Sequence, residues 1–321
     1  LFSTADDSLI QLTATNVIVV GTVQAGARTD GANVSAWTGR NAKVEIETTE
    51  AVVVGGKGLD ANFRLVNTGG TIAATGAVNI ETGSDSDGIG LTVSSSSAIY
   101  VDASGSGSLA NLNTGQLSVK ASGSVQLFGL VEGRDIGADV VIGSDRLVFV
   151  DGLVRSNDSV TIRGGRSAIG LGLLVGAHRF GSGGERLGGG TIDVAAGGRI
   201  SLSADDGLLL NGIIGELGNG TPTLRSVTIE STGGAVSFGG QVNAVESITV
   251  NGRSVNVLEN GRLKTFGSSS TVTLRASEGV VLADAVSNGG APGTVDAPAL
   301  VHLLAPSINI GGRITATPGT A

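Results

Sequence analysis

Apolar and polar residues alternate with a period of two in short runs along the whole chain. One run reads Ser226-Val227-Thr228-Ile229-Glu230-Ser231, followed by a Gly233-Gly234 turn, Ala235-Val236-Ser237-Phe238-Gly239 and Gln241-Val242-Asn243-Ala244. The same phrase reads Gln116-Leu117-Ser118-Val119-Lys120-Ala121, then Gly123, Ser124-Val125-Gln126-Leu127-Phe128-Gly129 and Leu130-Val131-Glu132-Gly133. Successive side chains of a strand point to opposite faces, so Val227 and Ile229 are expected inside, and Thr228 and Glu230 in water. By the same rule Val272 and Leu274 point inward, and Thr271, Thr273 and Arg275 outward. No amphipathic segment of helical period and length separates the runs. An α/β layering is therefore excluded, and the helix content is expected to be close to nil.

Strand-like segments begin near Leu9, Lys43, Ala77, Gln116, Asp139, Ser159, Thr191, Ser226, Ser247, Thr271 and Leu300, at offsets of 20 to 39 residues. The shortest offsets hold three short strands and three turns, which is one coil of a parallel β-helix. A unit too small to bury its own apolar face must stack on its neighbours. The pattern predicts an all-β, right-handed parallel β-helix (β-solenoid) of about 11–13 coils, with three short strands per coil and inserted side loops. Phe63-Arg64-Leu65-Val66 with Thr71-Ile72-Ala73 is the candidate for a further, degenerate coil. A β-sandwich would instead show hairpin signals every 8 to 12 residues or so.

Composition narrows the class. Glycine contributes 54 of the 321 residues without a G-X-Y period, which excludes collagen, and 40% apolar content excludes a disordered tract. No apolar run is long enough to span a membrane, and no secretory leader opens the chain. A chain that starts at Leu1 and lacks Met reads as a segment of something larger. Without cysteine there are no disulfides or thiolate metal sites. The net charge of −8 argues against nucleic-acid binding, which needs a basic face. With no charged tail or Pro/Ser linker, residues 1–321 read as a single continuous solenoid segment.

At Val227-Thr228-Ile229-Glu230-Ser231, Gly234, Val236-Ser237-Phe238-Gly239-Gly240 and Val242-Asn243-Ala244 the chain resembles the filamentous haemagglutinin-type exoproteins of two-partner secretion. Similar repeats fill the passenger regions of large autotransporter adhesins. The resemblance covers nearly the whole chain and specifies architecture better than activity. That family's secretion domain carries an Asn-Pro-Asn signature, and no Asn-Pro dipeptide occurs here, so the resemblance implies a position in the shaft. It further implies export, an extracellular or cell-surface location, and adhesion to a host or neighbouring-cell ligand, protein or glycan. Self-association into a fibre or sheath is the alternative partner reading, and a carbohydrate-active lyase or depolymerase is a second alternative.

Candidate chemistry is sparse. The two histidines, His178 and His302, lie far apart in sequence and belong to no hydrolase or metalloprotease motif. The acidic pairs Asp6-Asp7, Asp205-Asp206 and Asp85-x-Asp87 fall in or near turns, where Asp is favoured for local hydrogen bonds. One Trp, one Tyr and seven Phe leave few platforms for sugar rings. No catalytic residue is expected, and the chain reads as non-enzymatic. In Gly83-Ser84-Asp85-Ser86-Asp87-Gly88, alternating oxygens before glycine make Asp85 and Asp87 the candidate calcium ligands. Two inserted loops stand out. Residues 26–41 carry the only tryptophan, Trp37, beside Arg28, Asp30 and Arg40; residues 176–190 carry His178, Arg179, Phe180, Glu185 and Arg186. Loops on a rigid scaffold concentrate recognition, so Trp37, Arg40, Arg179, Phe180 and Arg186 are the expected partner contacts.

Overall fold

The computed structural model describes all residues except 4, 32–33, 39–40, 60–64, 102–114, 135–136, 177–178, 181–185, 216, 219–220, 223, 285–289 and 317–321. Among the described residues every regular element is a β-strand; there is no helix, and hence none long and apolar enough to cross a membrane. The chain divides into two compact units, Leu1–Asp145 with Gly152–Ser159, and Arg146–Asp151 with Val160–Ala321.

In the first unit each coil contributes three strands to a parallel stack. The first strands are Leu9–Ala14, Lys43–Thr48, Ala77–Thr82, Gln116–Ala121 and Asp139–Ser144. They pair in strict register, so that Ile10, Val44, Val78, Leu117 and Val140 form one inward column. Ile46, Ile80, Val119 and Ile142 form the next. Both columns are buried from Lys43 onward. Removing each such side chain from water stabilises the stack by about 1.5–3 kcal/mol. The third strands, Gly21–Ala25, Gly70–Ala74, Ala98–Val101, Leu130–Gly133 and Leu153–Ser156, form a separate parallel sheet. Phe2–Ser3 adds to its edge beside Gly21–Ala25.

The second unit is built the same way. Its first strands include Arg199–Ala204, Ser226–Ser231, Ser247–Val257, Thr271–Leu282 and Leu300–Leu304. Ile200, Val227, Ile248 and Val272 stack inward in one column, and Leu202, Ile229, Val250 and Leu274 in the other, all buried. Thr228 and Glu230 are exposed, as the alternation requires. In two coils the first and second strands run on as single elements of 11 and 12 residues, bent at a register shift between Gly252 and Ser254.

The last position of most first strands is small because the chain turns there. Ala14, Thr48, Thr82, Ala121 and Ser144 occupy it in the first unit, and Ala204 and Ser231 in the second. The hydroxyls satisfy corner carbonyls: Ser144 Oγ donates to Gly123 O at 2.8 Å and Ser231 Oγ to Asp206 O at 2.7 Å. This is the physical content of the recurring A/S/T that closes the strand phrase.

Eleven first strands occur among the described residues, including Ser159–Gly164. Two expectations need correction. Thr191 does not open a coil: Thr191–Val194 is a third strand, paired with Ile213–Ile214, and the coil opens at Arg199. Nor do residues 63–73 form a hidden coil. Leu65–Thr68 pairs antiparallel with Gly56–Leu59 as an inserted hairpin, while Gly70–Ala74 is the third strand of the coil that opens at Lys43. Phe63 and Arg64 lie outside the described residues.

Candidate functional site

In each unit the third-strand sheet is the face around which the chain is elaborated. The link from a first strand to a second strand never exceeds six residues. Every link of ten residues or more abuts a third strand: residues 26–42, 55–69 and 102–115 in the first unit, and 176–190, 215–225 and 283–293 in the second. A first-to-second corner turns tightly within one continuous sheet, whereas the corners flanking the third strand let the chain leave the stack and return.

Both segments expected to be inserted loops are inserted, and both are hairpins. Ala27–Gly31 pairs with Val34–Thr38, setting Trp37 opposite Arg28 in backbone register. Arg179–Phe180 pairs with Arg186–Gly188, with Phe180 opposite Arg186 across a register irregularity. Trp37, Arg179, Phe180 and Arg186 therefore stand on hairpins beside third strands; Arg40, His178 and Glu185 lie outside the described residues. Leu217–Gly218 with Thr221–Pro222 is a further hairpin that sequence reasoning missed. The Asn219-Gly220 dipeptide between its arms is the strongest short hairpin signal and marked the place.

The third-strand face of the first unit also carries a charge cluster that spacing had not singled out. Tyr100, Glu132 and Arg155 occupy one outward column on successive coils. Glu132 is only 3% exposed although it points away from the core. Arg134 Nε donates to its Oε2 at 2.6 Å, and Arg155 donates to Oε1 through both Nε and Nη2. The Arg134 guanidinium lies over the Tyr100 ring, 4.3 Å from its centroid. Two cations thus offset the cost of desolvating one carboxylate, and three coils are tied together. The signal was the coil offset: Glu132 and Arg155 are 23 residues apart, the same spacing as Gln116 and Asp139. In the second unit the third-strand face bears Lys264 over the Phe266 ring at 4.4 Å, and Arg262 with Asp296 at 3.4 Å.

The remaining candidates serve the turns. Asp85 Oδ1 accepts from the backbone N–H of Asp87 at 2.9 Å and of Ile89 at 2.8 Å, while Asp85 N donates to Ile89 O at 2.9 Å. This carboxylate closes a corner, and Asp87 is exposed beside it. Asp206 Oδ2 accepts from Ser167 N at 3.0 Å, and Asp7 Oδ1 from Asn41 Nδ2 at 2.8 Å. His302 is exposed on Leu300–Leu304, opposite Thr273. Among the described residues no three His, Asp or Glu side chains are grouped to hold a metal ion.

Stacked in-register coils with a period-two core define the chain as a parallel β-solenoid. No protein-family model, no curated protein and no solved structure matches it.

Proposed function

We propose that this chain is a non-enzymatic shaft segment of a large exported bacterial surface protein of the filamentous haemagglutinin type, holding and presenting contacts for adhesion. Its ligand is a protein or glycan on a host or neighbouring cell. One observation carries the reading: in each unit the long inserted links and the aromatic–cation pair gather around the third-strand face. The first-strand face is closed by short corners and carries no long link; its outward positions are small and polar at Ser226, Thr228, Ser247 and Thr249 and charged at Glu45, Glu47, Glu81 and Lys120. A scaffold that elaborates one face and leaves another plain is organised for recognition along its side.

The mechanism is positional. Stacked backbone hydrogen bonds make each unit stiff, and Trp37, Arg28, Phe180 and Arg186 belong to hairpins inserted beside the third strands. Antibody labelling and protease shaving of intact source cells, followed by adherence assays with the gene segment deleted, test the proposal. Surface signal and reduced adherence are expected; an antigen confined to the cytosol, or adherence unchanged by the deletion, refutes it.

A further inference from the structure

We infer that Arg262, Lys264 and Arg313, on the third-strand face of the second unit, form a recognition site for the carboxylates of an acidic polysaccharide. The inference rests on the adhesive reading for the polymeric nature of the ligand; the side chains supply its anionic class.

Register brings the three cations together. Gln241, Arg262, Thr294 and Arg313 occupy one outward column on successive coils, and Asn243, Lys264, Asp296 and Thr315 the neighbouring one. Asp296 is the only acid among them, although the protein carries a net −8. Its carboxylate takes a single bond, from Arg262 Nη2 at 3.4 Å. Lys264 holds its ammonium over the Phe266 ring, and Arg313 donates through Nε to Thr315 Oγ1 at 3.1 Å. Among the described residues neither Lys264 nor Arg313 pairs with a carboxylate. Glu259 and Asp284, at the corners that lead into these third strands, pair with none of the three cations.

The bond between Arg262 and Asp296 is loose. Its length exceeds the usual N–H···O range, and it engages one N–H of the guanidinium fork. Arg262 Nε and Asp296 Oδ1 are both buried without a hydrogen-bond partner among the described residues. An ion pair placed only for stability would close as two parallel bonds and satisfy both atoms. The side chain of Asp296 is 16% exposed and that of Arg262 43%, so the cation is the member that reaches solvent. A carboxylate arriving from solvent can take the guanidinium edge that Asp296 leaves open, with its two oxygens in the plane of the fork. Arg262 and Arg313 stand two coils apart, about 10 Å at the strand spacing of a sheet, and Lys264 shares the coil of Arg262. The cations therefore follow the coil axis and suit a polymer with carboxylates at intervals.

Retention of the full chain on immobilised polygalacturonate, neutral dextran, dextran sulfate and double-stranded DNA tests the inference. Retention on polygalacturonate, and not on dextran, is expected. Arg262→Gln should weaken it roughly 10- to 100-fold, the loss of a charge-assisted contact, and Arg262→Lys should restore part of the affinity. Lys264→Gln, which breaks no ion pair, should also weaken binding. Asp296→Asn removes the internal competitor for Arg262 and should tighten binding, a direction that a purely structural ion pair would not give. Arg275→Gln removes the same charge from the first-strand face of the same unit and should leave binding unchanged. Circular dichroism of each variant reports whether the fold is kept. No retention on polygalacturonate, retention confined to dextran sulfate or DNA, equal weakening by Arg275→Gln, weaker binding by a folded Asp296→Asn protein, or full binding by folded Arg262→Gln and Lys264→Gln proteins each overturns the inference. Failure here with cell adherence intact would leave the adhesive reading standing with a different ligand. Polygalacturonate binding by a protein absent from the cell surface would do the reverse.

Discussion

Gly240 follows Gly212 on the next coil, so closely that a methyl group on Gly240 would lie 2.0 Å from the Gly212 carbonyl oxygen. Both stand at the corner that leads into a third strand. The obstacle is backbone, which cannot swing aside as a side-chain tip can. Gly240→Ala is therefore expected to destabilise the protein by about 1–3 kcal/mol or more, through overpacking. Chemical denaturation of the variant beside the parent checks this, and an unchanged midpoint would show that the corner has room.

The inward and outward columns make opposite predictions for neighbouring residues. Ile229 is fully buried and Thr228 exposed on the same strand. Ile229→Ala should cost about 2–5 kcal/mol as a cavity opens, and Thr228→Ala should stay within about 0.5 kcal/mol. Comparable effects from the two substitutions would mean that the strand is out of phase.

Such phase was the most legible property of the sequence. In a parallel stack, burial follows side-chain alternation directly, so Val227, Ile229, Val272 and Leu274 could be placed inside from pattern alone. Ten of the eleven expected strand starts open first strands; the exception is Thr191. Thr191-Ile192-Asp193-Val194 alternates as a first strand does, and the hairpin before it had erased the regular spacing. Alternation reports which side of a strand is buried and not which strand of the coil it is. Hairpin pairing was hidden for a different reason. Gly56-Lys57-Gly58-Leu59 and Leu65-Val66-Asn67-Thr68 lack the period-two alternation of apolar and polar residues that would mark them as strands. The Glu132 cluster was hidden because Glu132 is buried on the outward side, where alternation predicts solvent.

Asp85 offers a test of turn against metal. Its carboxylate receives two backbone N–H groups, so Asp85→Ala should cost about 1–3 kcal/mol. The loss should be the same in excess calcium and in chelator. A calcium-dependent rise in thermal midpoint that vanishes in the variant would instead make Asp85 a metal ligand.

Removing the carboxylate of Glu132 takes an ion-pair partner from both Arg134 and Arg155. Glu132→Ala is expected to cost about 1–3 kcal/mol, less than for a fully buried pair because both guanidinia reach water. The deficit should shrink at high salt, which screens the exposed cations. A deficit that grows with salt would contradict the electrostatic origin.

Lys120 stands beside Glu81 on the adjacent coil, with Nζ 2.8 Å from Oε1. The hydrogen bond and then the charge of Glu81 raise the Lys120 pKa above 10.5. A pKa raised on folding contributes stability that is fully present below the unfolded value and is lost as pH climbs through the folded one. The contribution should therefore fade only above about pH 10.5. NMR titration of the Lys120 ammonium should show its midpoint fall toward the ordinary lysine value in Glu81→Gln; an unmoved midpoint would remove the pair from the account.

The central claim is that this solenoid binds a surface ligand and does not transform it. Incubating the full chain with a panel of acidic and neutral polysaccharides, then measuring both the bound protein and the molar mass of the recovered polymer, tests it most directly. The account predicts that any polymer that retains the protein is recovered at its original mass. Shortened polymer with new reducing ends or unsaturated termini would contradict it and make the third-strand face a catalytic one.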